Sequence, residues 1–282
     1  MIDADVIRPA AMRAGFAALD RLSPPLTARW ALRLWCTLPD TAGRHPDDRP
    51  RPGVRADVSL PGGRTVAVET WGDGPPVYLV HGWGGWRGQL GAFVEPLVAA
   101  GRRVVGFDAL SHGQSSPGAL GPRRSTAVEM LGAFVAVTAA HGAPDAVVAH
   151  SLGCFVAALA VRDGLPVGRL AFVAPSTDMA ARRRELAEAL GYGGRAQREF
   201  DRRFEALARR PLRDFALADT PMTRPVLVVH DRADKEVPHR EGASLAERWP
   251  SAALVSTDGL GHQRILRDPG VVTRVSQFVT AA

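Results

Sequence analysis

Apolar and polar positions along the chain change period several times, and each change marks an element. Ile7 to Leu22 and Leu26 to Leu38 carry apolar residues at helical spacing, which predicts two helices with Pro24-Pro25 between them. In the second, Trp30, Leu34 and Leu38 share a face, and Arg29 and Arg33 lie one turn apart. A basic, tryptophan-bearing amphipathic helix of this kind (residues 26–38) can lie on a membrane surface; the reading adopted is that its apolar face packs on its own domain. Thr41 to Gly53, rich in Pro, Asp and Arg, reads as a linker. Val54 to Leu60 and Thr65 to Glu69 alternate with period two around Pro61-Gly62-Gly63, the pattern of a β-hairpin.

From Val77 short apolar runs alternate with longer helical patterns. Strands are predicted at 77–80, 103–107, 146–149, 169–173, 225–229 and 252–255, and helices at 89–100, 125–140, 155–161 and 271–281. Near-continuous apolar strands separated by helices imply an α/β fold: a mostly parallel sheet covered on both faces, with the hairpin ahead of it. Ser176 to Pro221 breaks this rhythm. It holds no strand, only helical stretches at 185–190 and 198–207, the latter with Phe200, Phe204 and Leu207 on one face. Placed between two strands at the carboxyl edge of the sheet, where such folds hold their sites, it reads as an inserted helical cap. Its arginine clusters at 182–184, 202–203 and 209–210, interleaved with Glu185, Glu188, Glu199 and Glu205, are expected on solvated faces. The expected organisation is an N-terminal helical extension and linker at 1–53, a core at 54–175 and 222–282, and the cap at 176–221.

Composition narrows the partners. At 282 residues and 46% hydrophobic, the chain can bury a full core. Of the 35 basic residues only Lys235 is lysine, and against 29 acids the net charge is +6. The arginines are spread along the chain without an aromatic-plus-basic motif, so no nucleic-acid partner is expected. Two cysteines, Cys36 and Cys154, fit reduced thiols better than a disulfide framework. The N-terminus lacks a long apolar region, and no stretch approaches the roughly 20 apolar residues of a membrane span, so the expectation is a cytoplasmic protein. No histidine and carboxylate pair has metal-ligand spacing, and two distant cysteines make no zinc site.

The candidate chemistry centres on Ala149-His150-Ser151-Leu152-Gly153. A buried strand leads in and an Ala- and Leu-rich helix leads out, so Ser151 sits on a nucleophile elbow. The corner lifts the hydroxyl from the sheet edge and aims the first helical N–H groups at whatever it attacks. A serine hydroxyl needs a base, and the base an orienting acid. His262, in a Gly259-Leu260-Gly261-His262 loop after the last strand, is the candidate base. Asp234, on the loop after 225–229, is the candidate acid; Asp231 is closer to the strand end and is assigned to the turn, and Asp178 is a distant third. His45, His141 and His239 lack the placement of His262. His81-Gly82-Trp83-Gly84-Gly85 follows the first parallel strand, which predicts an oxyanion hole from the N–H groups of Trp83 and Leu152.

Together, His81-Gly82-Trp83-Gly84, Phe107-Asp108 with His112-Gly113-Gln114-Ser115, the His150-to-Gly153 elbow, the Asp234-to-Pro238 loop and Gly261-His262 resemble the α/β-hydrolase fold superfamily over about residues 54–282. The resemblance implies an eight-stranded mostly parallel sheet with a lid, a Ser151–His262–Asp234 triad and no cofactor. Two positions depart from the pattern: Ala149 stands for the elbow's first glycine, and Ser111 for a glycine in the Asp108-to-Ser115 stretch. The expected function is hydrolysis of a carboxylic ester or related acyl compound, with an apolar small molecule as substrate. An acyltransferase or cofactor-free perhydrolase would use the same triad, and a non-catalytic ligand-binding protein could keep the scaffold. Trp83 and Trp86 are placed either to line an apolar pocket or to pack. Leu186, Leu190, Phe200 and Phe204 either meet an acyl chain or hold the cap together.

Overall fold

Each central strand divides its side chains between two apolar layers. In the strand Pro76–Val80, Val77 and Leu79 enter one layer and Tyr78 and Val80 the other; in Ala146–His150, Ala146 and Val148 oppose Val147 and Ala149. The computed structural model describes residues 10–40, 46–217 and 222–281. Its strands are β1 (Val54–Leu60), β2 (Arg64–Trp71), β3 (Pro76–Val80), β4 (Arg103–Phe107), β5 (Ala146–His150), β6 (Arg169–Val173), β7 (Val226–Asp231) and β8 (Ala252–Thr257). They join in one sheet of order β1-β2-β4-β3-β5-β6-β7-β8. The β1–β2 and β2–β4 pairings are antiparallel and the other five parallel, so the expected mostly parallel eight-stranded sheet is present. Val80 pairs with Ala149, which sets the carboxyl end of β3 beside that of β5.

The helices are α1 (Ala10–Leu22), α2 (Pro24–Trp35), α3 (Val94–Ala99), α4 (Ala127–His141), α5 (Leu152–Arg162), α6 (Met179–Leu190), α7 (Gly194–Ala208), α8 (Arg240–Arg248), α9 (Gly261–Arg264) and α10 (Pro269–Thr280). Side chains of α4, α5 and α8 fill one layer, and those of α3 and α10 the other. No described helix is long and apolar enough to cross a membrane.

Several elements differ from the sequence reading. Pro24-Pro25 open α2 instead of separating two helices, because a first-turn proline gives up only an N–H that has no intrahelical partner. The helix expected at 89–100 is a 3-10 segment, Arg87–Phe93, followed by α3. There the Arg87 N–H is drawn to Asp108 Oδ1 at 2.8 Å, and Gly88 and Gly91 lie against Trp86 and the Asp48–Arg49 backbone. Residues 46–53 are no free linker: Asp48 N–H donates to the Gly88 carbonyl (3.0 Å), Gly53 N–H to Glu69 (2.8 Å) and the Trp71 indole to the Arg51 carbonyl (2.9 Å). The remaining linker residues 41–45, with His45, lie outside the described residues, as do 1–9, Ala282 and the end of the expected cap at 218–221.

Helices α6 and α7 start earlier than predicted, α6 behind an Asp178 side chain that accepts from Ala181 N–H. Arg202 and Arg203 lie on an open face and pair with Glu199, as expected. Arg182 does not. Its side chain is nine-tenths buried, paired with Glu241 of α8 and, at 2.8 Å, with Glu185. Glu241 also accepts the N–H groups of Thr177 (3.0 Å) and Asp178 (3.2 Å), so it fastens the start of this segment to the core.

Candidate active site

Ser151 is the joint between β5 and α5, with φ 53° and ψ −122°. A non-glycine residue reaches this region only when its surroundings hold it there. Here the Ser151 N–H donates to the Val173 carbonyl (3.0 Å), and the Ser176 N–H donates to the Ser151 carbonyl (3.2 Å). Two residues on, a Cβ at Gly153 would collide with the carbonyl oxygens of Val80 and His81. Only glycine lets the helix start so close to the end of β3.

His262 Nε2 lies 3.0 Å from Ser151 Oγ, and His262 Nδ1 lies 2.7 Å from Asp234 Oδ2. An ionised carboxylate only accepts, so Nδ1 carries the proton and Nε2 is free to take one from the serine. His262 stands in the one-turn helix α9 and not in an open loop; Gly261, at φ 67°, lets the chain turn into it. The His150 ring donates from Nε2 to the His262 carbonyl at 3.0 Å, which fixes the His262 backbone. Asp234 Oδ1 accepts from the N–H groups of Glu236 and Val237, each at 2.9 Å. Burial works against its charge, but hydrogen bonds from His230, His262 and Val237 outweigh that and hold the Asp234 carboxyl well below the usual range. Asp231 instead binds the Ala233 and Leu260 N–H groups and the Thr257 hydroxyl, each at 2.8–2.9 Å, bracing the two loops that carry Asp234 and His262.

The loop after β3 closes the other side. A Cβ at Gly82 would come within 2.9 Å of Ser151 Cβ, so this backbone lies directly on the elbow. His81 fixes it as a neutral ring: Nδ1 donates to the Gly82 carbonyl (2.7 Å), and Nε2 accepts from the Ala109 N–H (3.0 Å). Burial pushes its pKa down, which favours that neutral form. The N–H groups of Trp83 and Leu152 have no acceptor among the described residues. Leu152 is the first residue of α5, where helical N–H groups lack intrahelical partners.

Residues 75–223 match the sequence model of the α/β hydrolase fold family. The chain belongs to that family. Residues 208–282 match a second model, described as TAP-like protein. Among solved structures, this α/β hydrolase is similar to mouse alpha/beta hydrolase domain-containing protein 10, with 18% identity, TM-score 0.64, and coverage of 80% of this chain and 97% of that one. A hydrolase from Pseudomonas aeruginosa PA01 gives 19%, 0.62, and coverage of 82% and 99%. The esterase EaEST from Exiguobacterium antarcticum gives 18%, 0.60, and coverage of 81% and 100%. At these identities the likeness is one of fold. A comparison with curated proteins returns no match.

In this α/β hydrolase an apolar cavity of about 40 Å3 adjoins the elbow. That is room for roughly three water molecules, a slot and not a chamber. Trp83, Leu152 and Ser176 line it together with Met179, Phe204, Leu207 and Phe215. Of the residues expected to meet a ligand, Trp83 and Phe204 line the slot. Trp86 stacks under Arg49 and Arg87 instead, and Leu186, Leu190 and Phe200 are packed in the core. Sequence reasoning missed Trp35 of α2 and Arg182 of α6, which also line the slot. Trp35 meets Phe200 and Phe204 edge to face, with ring centroids 6.0 and 6.1 Å apart, and the Trp83 indole donates to the Thr37 carbonyl at 3.4 Å. The N-terminal extension thus forms one wall of the site. No spacing signal marked it, because Trp35 lies off the Trp30–Leu34 face of α2, and Leu38, expected to continue that face, lies beyond the end of the helix.

Proposed function

We propose that the protein hydrolyses a carboxylic ester or related acyl compound through an acyl-enzyme. Ser151 Oγ attacks the carbonyl carbon while its proton passes to His262 Nε2. Asp234 holds the Nδ1 tautomer and offsets the charge of the imidazolium that forms. The tetrahedral oxyanion lies against the Trp83 and Leu152 N–H groups, and loss of one such donor costs about 3 kcal/mol in the transition state. Collapse expels the alcohol, which leaves with the proton from His262. Water then attacks the acyl carbon with His262 as base, releasing the acid and restoring Ser151. The apolar lining of the slot favours an apolar acyl group.

The observation that carries this reading is the continuous relay of 2.7 and 3.0 Å contacts from Asp234 through His262 to Ser151. It is tested with a fluorophosphonate probe. Wild-type protein should label at Ser151, and Ser151→Ala should not; equal labelling of both ends the proposal. A series of p-nitrophenyl esters then reports the depth of the slot through its chain-length optimum.

A further inference from the structure

Helix α2 buries only one side. Contrary to the expectation that the Trp30 face packs on its own domain, it is Thr27, Ala28 and Ala31 that are fully enclosed, while Leu26 and Trp30 keep 46% and 55% of their surface in solvent, and Leu22, at the end of α1, keeps 83%. Leu26 and Trp30 lie about one turn apart on α2, and Leu22 stands at the end of α1, directly before the Ser23 joint between the two helices. Beside them runs an open groove of about 630 Å3 whose lining includes Arg29, Arg33, Arg124 and Leu207. None of these three arginines forms an ion pair with a described carboxylate; nearby Asp40 is engaged by Arg123 at 3.7 Å. Leu207, itself 37% exposed, lines both this groove and the slot beside Ser151.

The combination selects its partner. A free phosphate or nucleotide would engage the guanidinium groups and give Leu22, Leu26 and Trp30 nothing to bury in. A purely apolar surface would leave three uncompensated cations beside it. An anionic lipid layer supplies both: phosphates for planar, multidentate guanidinium groups, and a headgroup–acyl boundary for tryptophan and leucine. We propose that this face of α1 and α2 docks on an anionic lipid surface, bringing Leu207, the shared wall of groove and slot, to the layer. The docking does not require Ser151 to be the nucleophile; given the acyl chemistry proposed above, it sets the slot against a store of acyl compounds.

The test is co-sedimentation of the full chain with phosphatidylcholine vesicles containing about one-third phosphatidylglycerol, and with pure phosphatidylcholine vesicles. Binding should be at least tenfold tighter to the anionic vesicles, and should weaken as salt is raised. The Arg29→Glu/Arg33→Glu and Leu26→Ser/Trp30→Ser variants should each lose at least tenfold, with unchanged thermal midpoints and unchanged turnover of a soluble short-chain ester. Ser151→Ala should bind like wild type, which separates this inference from the proposed chemistry. No binding, equal binding to both vesicle types, or undiminished binding by either double variant overturns it. So does a wild-type dimer in sedimentation velocity that Leu26→Ser/Trp30→Ser dissociates, which would assign the face to a second copy of the chain.

Discussion

A methyl group at position 149 is accommodated and one at position 153 would not be, although both flank the same serine. Ala149 points into an apolar layer that has room for it, whereas a Cβ at 153 would meet two backbone carbonyls that cannot move without breaking β3. Gly153→Ala should therefore destabilise the fold by about 1–3 kcal/mol, read as a lowered urea midpoint; an unchanged midpoint would refute the close-approach account. Ser111, the other departure from the family pattern, does adopt the left-handed conformation that its usual glycine would, at φ 66°. Its hydroxyl compensates by accepting from Gly118 N–H (2.9 Å) and donating to the Gly121 carbonyl (3.1 Å). His112 is buried with Nδ1 donating to the Leu110 carbonyl, and burial pulls its pKa from 6.5 down to about 3. A group whose folded pKa is depressed loses stability as pH falls: the contribution is whole above pH 6.5 and declines toward pH 3. Between pH 7 and pH 4 wild type should thus lose on the order of 3 kcal/mol more than His112→Asn, measured by urea denaturation at both pH values. Equal losses would refute the assignment.

Elements were most legible where one period ran without interruption. The strands and α10 read clearly because apolar runs between turn residues admit few alternatives. Helices α6 and α7 were read too short because the Arg182-Arg183-Arg184 run interrupts the start of α6 and Gly194 with Gln197 that of α7, so no continuous apolar stripe announces either start. Arg182 cannot be told from Arg202 in sequence; only the approach of Glu241, 59 positions away, makes one buried and leaves the other in solvent. The role of α2 was hidden for the same reason, since its wall of the slot exists only once Trp35 meets the phenylalanine face of α7. Trp35→Ala should enlarge the slot and move the p-nitrophenyl ester optimum to longer or bulkier acyl groups, with fluorophosphonate labelling retained. An unchanged optimum would mean that α2 does not bound the substrate site.

At the scale of the whole molecule, one apolar layer runs from Ala28 and Ala31 of α2 through Phe200 and Phe204 of α7 to Val147 and Phe172 of the sheet. Extension, helical segment and sheet share a core, although the sequence divides them into three regions. Calorimetry should accordingly show a single cooperative transition; a separate low-temperature transition for the N-terminal helices would contradict the shared core. The sequence by itself determined the strands, the sharp corner at Ser151, and the order of serine, aspartate and histidine along the chain. Those features are written in local periodicity and in small residues at tight turns. Tertiary structure alone decided that the loops after β7 and β8 bring Asp234 and His262 within hydrogen-bond reach across 28 residues, and His262 to Ser151 across 111. It alone decided that α2 walls the slot and that Arg182 is buried. Contacts between distant segments depend on which surfaces remain available after the sheet has packed, and no local pattern carries that information.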